Sequence, residues 1–441
     1  MQILRRSQRT MATLQTALVY LLAGILPLTH AQCSLPTSGV YVSTSADMEI
    51  VGGVAVRWLV VNWFGMDVTE GDLVQLVDTE AQTILATVEV TDPEGWFTSD
   101  VAWDGSLFPN SLDNVSEIYL PYKANYVRNE ITLHSATLTL RPRWMELQRL
   151  DLWNASLTKV ALPGTHDAGA STHNGAMAEN IVGRWAFTQD ETLWQQLVLG
   201  ARYMDMRIGY YENREEKFYV HHGEVVIAPL QGYLDDVVKF MSQTQEIVIF
   251  DIHDLNNGFD GHPERHAELI SILESNFGEW MASNTLEPNP TMGELWREGA
   301  RLIVTYPSQE NANSDYLWGS VYHLWGDANT LDDLEAFLYT GIPQQVNRGS
   351  LWSAMAELTP SATDVVVNKW GGLRGAANIT NFPVTNWFRR DWWDQVNIVS
   401  MDFLAHSDVV SVAVEANRVR QQCRGGRKAV SASGRSTPRR R

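Results

Sequence analysis

Four apolar runs between residues 162 and 254 end in ionisable side chains, and that recurrence constrains the fold more than any other feature. Leu162-Pro163-Gly164-Thr165-His166-Asp167 closes a short apolar strand and then presents a His-Asp pair. Gly200 to Arg207 reads G-A-R-Y-M-D-M-R, Val220 to Gly223 reads V-H-H-G, and Glu246 to Asp254 reads E-I-V-I-F-D-I-H-D. A parallel β/α barrel gathers the carboxyl ends of its strands at one mouth, where such side chains build a site. From Thr158 onward, strand-like and helix-like segments alternate. The expected strands are Thr158–Leu162, Tyr203–Ile208, Phe218–Val220, Ile247–Ile252, Leu302–Thr305, His323–Trp325, Val365–Asn368 and Val396–Met401. Helical patterns cover Leu230 to Ser242, Glu264 to Trp280, Leu331 to Tyr339 and Ser407 to Gln421. Eight strands over about 250 residues match a TIM-type barrel, so residues 143–417 are assigned to an α/β fold of that kind.

Residues 32–142 read differently. Val54 to Trp63 is β-branched and aromatic, and further short strands follow, separated by turns such as Asp92-Pro93-Glu94-Gly95. This spacing predicts an N-terminal antiparallel β-sandwich. It holds no titratable cluster and is expected to pack or interact rather than catalyse. Arg141 to Trp153 is the expected link to the barrel.

The ends of the chain indicate a secretory protein. Residues 1–31 combine Arg5, Arg6 and Arg9 with the apolar run Ala17 to Leu28 and small residues at a cleavage position, Thr29-His30-Ala31. That is the pattern of a signal peptide, with an apolar run too short to span a bilayer. Three sequons, at Asn114, Asn154 and Asn378, agree with a secreted glycoprotein. The two cysteines, Cys33 and Cys423, are enough for one bridge and too few for a Cys-rich zinc site. The formal charge is −19; setting aside three basic residues before position 32 and nine after 417 leaves −31 on the body. Such a body repels nucleic acid. Residues 418–441 are basic, rich in Ser and Gly, and expected to be a disordered tail.

Cleaving a phosphodiester with an internal hydroxyl needs a base, an acid for the leaving oxygen and positive charge for the phosphoryl oxygens. Histidine suits both proton-transfer tasks near neutral pH. The order and spacing of the four motifs resemble the X domain of phosphatidylinositol-specific phospholipases C, over roughly residues 145–415. The resemblance implies that His166 is the base, oriented by Asp402, and that His222 is the acid, assisted by Asp167. His221, one residue earlier, faces the other way along a strand and is read as structural. Arg207 stands where calcium-dependent members carry a carboxylate two residues after the first. The pair here is Asp205 and Arg207, which points to a metal-independent reaction with no cofactor. A guanidinium holds phosphate oxygens in a forked geometry and stays charged. Asp205, His253 and Lys369 are the expected substrate-binding residues. A transition-metal cluster of His166, His222, His253 and Asp205 is the alternative use of the same histidines.

The implied substrate is a phosphatidylinositol-type lipid, and the implied products are diacylglycerol and a cyclic inositol phosphate. Contact with the membrane would be transient. Asn386 to Trp393 mixes indoles with arginines and serves either that contact or the barrel core. Two other functions compete: a metal-dependent enzyme resembling sphingomyelinase D or a glycerophosphodiesterase, and a catalytically inactive binding module.

Overall fold

A computed structural model describes residues 33–433 except 53, 172–181, 256 and 309, with side chains described through 423. The expected signal peptide lies outside the described residues. Among them no helix is long and apolar enough to cross a membrane.

Eight parallel strands form the barrel: β1 (Leu162–Thr165), β2 (Tyr203–Tyr210), β3 (Val248–Asp254), β4 (Leu302–Thr305), β5 (Leu317–Trp318), β6 (Tyr322–Leu324), β7 (Trp352–Met355) and β8 (Ile398–Met401). Their hydrogen-bonded order is β5-β4-β3-β2-β1-β8-β7-β6. A single seam, between β5 and β6, carries no ladder among the described residues. Strands β1, β4, β7 and β8 are buried along their whole length, because helices cover one face and the barrel interior fills the other. Gly164 is required by this closeness: a side chain there would meet Tyr203 at 2.7 Å and the Ser400 hydroxyl at 2.8 Å.

The first strand begins later than expected, because Leu157–Lys159 is a helical turn and β1 starts at Leu162, and two other expected barrel strands are something else. Phe218–His222 pairs antiparallel with the far end of β2 and forms a hairpin with Val225–Pro229, so it extends the mouth instead of closing the barrel. Residues 365–368 are not a strand. Ala362–Val366 is a helix, started by a capping box between Ser361 and Asp364. The cap outweighs the β-branched run. The positions in the barrel are filled by β5 and β7, whose shortness hid them.

The N-terminal region comprises two larger antiparallel sheets. One orders Gly39–Thr44, Trp58–Phe64 and Gly95–Ala102; the other orders Thr83–Glu89, Leu73–Asp78, Ile118–Arg128 and Ile131–Leu140. A single apolar cluster, including Val42, Val61, Leu76 and Tyr126, draws on both. This region is fastened to the barrel by buried charge. Arg57 lies 3.2 Å from Asp190 and 2.7 Å from Glu191, and His406 Nδ1 lies 2.6 Å from the Thr44 carbonyl.

The C-terminal helix, Val409–Ser433, runs well into the segment expected to be a disordered tail. Arg418 pairs with Glu415 one turn earlier, and Arg420 donates to the carbonyls of Lys159, Trp393 and Val396. Cys423 is bonded to Cys33 with their Cα atoms 5.9 Å apart. These ties anchor the helix through Cys423, at the start of the segment expected to be a disordered tail.

Candidate active site

Residues toward or just beyond the carboxyl ends of β1, β2, β3, β6, β7 and β8 converge on one cavity of about 1080 Å³. His166, Arg207, His222, His253, His323 and Glu357 are among its lining residues. Most of the expected site is therefore assembled in one place.

His166 follows β1 directly. Its Nδ1 lies 2.7 Å from Asp402 Oδ1, and Asp402 follows β8, the ladder neighbour of β1. The carboxylate fixes the ring orientation and favours a proton on Nδ1. The next residue, Asp167, has φ +37°, a strained conformation for a residue with a side chain. Three hydrogen bonds hold it there: its N–H donates to Asp205 Oδ2 at 3.1 Å, the Ala168 N–H to the Asp205 carbonyl at 2.7 Å, and the Thr188 hydroxyl to the Asp167 carbonyl at 2.8 Å. Gln189 completes the clamp by donating to the carbonyls of His166 and Met401.

Arg207 reaches in from β2. Its Nη2 lies 2.8 Å from His166 Nε2 and 3.3 Å from Asp205 Oδ2, and its Nε lies 3.5 Å from Asp167 Oδ2. Burial would lower the guanidinium pKa, but the charges of Asp205 and Asp167 outweigh it, so the group stays protonated. Asp205 is fully buried beneath Arg207. Burial alone would raise its pKa, yet Arg207 and the neighbouring histidines hold it well below the usual carboxylate range. It braces the arginine and lies off the cavity lining, so it does not occupy the substrate-binding place expected of it.

His222 stands on the hairpin strand. Its Nδ1 is 2.9 Å from the Ala186 carbonyl, and its Nε2 is 3.9 Å from Asp167 Oδ2. The His166 and His222 rings are 6.4 Å apart between centroids and almost perpendicular. His221 points away; it is buried, with Nδ1 3.1 Å from the Gly223 carbonyl. A reacting group between the two imidazoles would meet an imidazole on each side and a fixed cation at its flank.

Lys369 does not join the site. Its ammonium is held 3.3 Å from Asp364 and 3.1 Å from the Asn329 carbonyl, in a short helical turn. The anticipated metal cluster of His166, His222, His253 and Asp205 does not assemble either. Instead His253 groups with Asp251 and His323. Sequence reading missed His323, Glu357 and Gln189 as site residues. Glu357 is 5% exposed, and burial pushes its carboxyl up to about 7. Burial also acts to lower the His166 pKa, but the charges of Glu357 and Asp402 dominate and raise it to about 9.

Of the expected glycosylation positions, Asn114 and Asn154 are exposed outside regular elements. Asn378 is half-buried within the helix Leu373–Trp387, and the hydroxyl of its partner Thr380 is bonded inside that helix.

Mouse PI-PLC X domain-containing protein 3 is 24% identical to this chain over 302 residues, which is 63% of this chain and 93% of the relative. Human PI-PLC X domain-containing protein 1 is 23% identical over 304 residues, 62% of this chain and 92% of the relative. The chain is a relative of the PI-PLC X domain-containing proteins. No family model matches it. Among solved structures, a phosphatidylinositol-specific phospholipase C from Staphylococcus aureus superposes with a TM-score of 0.48 at 16% identity, covering 63% of this chain and 96% of that one.

Proposed function

We propose that this chain is a secreted, metal-independent phosphodiesterase that cleaves phosphatidylinositol-type lipids. One observation carries the reading: two histidines flank Arg207 across one cavity, and each has a carboxylate beside it, Asp402 for His166 and Asp167 for His222.

In this mechanism His166 Nε2 takes the proton of the inositol 2-hydroxyl as its oxygen attacks phosphorus. Arg207 gives up its contact with the base and donates to the phosphoryl oxygens, where negative charge grows. His222 protonates the departing glycerol oxygen as the phosphorus–oxygen bond breaks. The products are diacylglycerol and a cyclic inositol phosphate. Arg207 supplies the positive charge that a bound ion supplies in a metal-dependent reaction, and its position disfavours the readings as sphingomyelinase D or glycerophosphodiesterase.

Lipid access has support at the rim. Trp325 and Val365 line the cavity and are 52% and 39% exposed, and the neighbouring Val366 and Val367 are 84% and 64% exposed. Exposed apolar side chains beside a polar cavity suit transient docking on a bilayer. Within Asn386 to Trp393, by contrast, Trp387 and Trp392 are buried, and Arg389 stacks over Phe64 at 3.7 Å, so that stretch serves packing. The Cys33–Cys423 bond supports an oxidising compartment and hence secretion. We read the two N-terminal sheets as a sandwich that braces the barrel through Arg57.

The test is an assay of the secreted protein on phosphatidylinositol vesicles, before and after exhaustive chelation. Release of diacylglycerol and cyclic inositol phosphate in both conditions is expected. No release in either condition would leave the inactive binding module. Loss on chelation, with recovery by one ion, would restore the metal-dependent alternative.

A further inference from the structure

We propose that Asp251, His253 and His323 form a binding site for one divalent transition-metal ion of the zinc class, in the barrel mouth and separate from the His166–Arg207–His222 machinery. The three come from β3 and β6, strands separated in the ladder by β4, β5 and the seam. Only the curling of the sheet brings them together. One ligand atom from each lies within 4.8 Å of the others.

Their spacing suits a tetrahedral ion. Asp251 Oδ2 is 3.6 Å from His253 Nδ1 and 3.4 Å from His323 Nε2. Ligands bonded to zinc at about 2.0–2.1 Å in a tetrahedron stand about 3.3–3.4 Å apart. The two separations are thus within a few tenths of an ångström of what the ion needs. The imidazoles are stacked at 3.5 Å with their planes 3° apart, so the rings must turn well out of the stack for both nitrogens to point at one ion.

The surroundings also resemble a ligand's supporting shell. Asp251 is fully buried and oriented from both sides. The Thr305 hydroxyl donates to its Oδ1, and the Tyr203 hydroxyl donates to its Oδ2 at 2.6 Å. Carboxylate ligands are typically held by such hydrogen bonds. His253 Nδ1 is buried and has no hydrogen-bond partner, although it faces Asp251. A buried polar atom left unpaired calls for an explanation, and an ion is one.

Two imidazole nitrogens and one oxygen select a transition metal over calcium or magnesium, which take oxygen ligands. His253 and His323 line the cavity, so three protein ligands leave the fourth position open to whatever the cavity holds. The Tyr203 hydroxyl also lies 2.7 Å from His323 Nε2. That contact competes with the ion, while the same hydroxyl's bond to Asp251 Oδ2 supports the carboxylate. No step of the proposed reaction runs through this ion.

The test reads binding, so it stands or falls apart from activity. The full secreted chain, stripped with a chelator and dialysed, is titrated with zinc by calorimetry and with cobalt by visible absorption. One ion per chain is expected, with the strong d–d bands of four-coordinate cobalt. His253→Ala and His323→Ala should each weaken zinc binding by at least about tenfold. Where an alanine variant fails to fold, His323→Gln and the wild-type cobalt spectrum carry the test. No saturable uptake, uptake indifferent to both histidines, or a weak octahedral cobalt spectrum would overturn the proposal.

Discussion

Arg202 and Arg207 stand at opposite ends of the same stretch of β2, and their surroundings differ in kind. Arg202, just before the strand, is fully buried at the closed end. Its Nε and Nη2 bind Glu246 Oε2 at 2.8 and 2.6 Å, and its remaining contacts go to the carbonyls of Leu197, Ala201, Arg141 and Pro142. Arg207, at the mouth, has its Nη2 on His166 and Asp205, while its Nε is buried without a hydrogen bond. The same contrast holds for the carboxylates. Glu246 accepts from Arg202 and from the N–H groups of Met145 and Glu146, whereas both side-chain oxygens of Asp167 lack a hydrogen bond. A guanidinium offers five donors. At one end nearly all are used to hold the fold; at the other fewer are.

Proton transfer should give the largest effect. His166→Ala and His222→Ala should each reduce turnover about 10²–10⁴-fold, as expected for a general base or acid. A leaving group of low pKa should partly rescue the His222 variant and not the His166 variant. Kinetics with two lipid analogues would show this, and equal rescue would reverse or abolish the assignment.

The two arginines should then separate cleanly. Arg202→Ala strands Glu246 as a buried charge and should cost about 3–5 kcal/mol of stability. Arg207→Ala leaves the buried Asp205 with the neighbouring histidines as partners, so it should cost less stability than Arg202→Ala while lowering turnover about 10²–10³-fold. Arg207→Lys should recover little, because an ammonium cannot make two parallel hydrogen bonds. Denaturation and turnover measured on the same preparations test the contrast. If both variants lose stability equally, the two ends do not differ as described.

This contrast also explains what could be read from the sequence. Contiguous motifs were legible: Leu162 to Asp167 gave His166 and its neighbour, and Gly200 to Arg207 gave Asp205 and Arg207. Asp402 was legible because it ends the apolar run of β8. Partners that depend on sheet curvature were not. His323 opens an expected strand, but nothing local marks it as a partner of His253, and Glu357 follows β7, whose W-S-A-M is too short and mixed to stand out as a strand. Lys369 was misplaced because Val365 to Asn368 resembles a strand, while the Ser361 cap makes it helical. The buried Arg202–Glu246 pair lies within two of the same runs, but no local pattern separates an inward-pointing charge at the closed end of a barrel from one at its mouth.

The smallest expected effect is a shift with pH, and it bears on Glu357. This buried carboxyl is raised to about 7, and its charge helps lift His166 to about 9. A base must be unprotonated to act, so kcat/KM of the wild type should climb with pH toward the raised value of His166. Glu357→Gln removes one of the charges favouring the imidazolium. The rising limb should then move to lower pH, with a gain of a few-fold on its acidic side. Stability has a definite sign as well. Glu357 binds its proton more tightly folded than unfolded, so its contribution is complete below about 4.5 and is lost as pH rises through about 7. His166 is likewise raised, with a contribution complete below about 6.5 and lost through about 9. Wild type should therefore lose stability between about pH 5 and about pH 8, and Glu357→Gln should lose less. Thermal midpoints at the two pH values measure the slope, and pH–rate profiles measure the limb. If Glu357→Gln left both unchanged, the unpaired carboxyl at the mouth would be electrostatically silent, and His166 would answer to Asp402 alone.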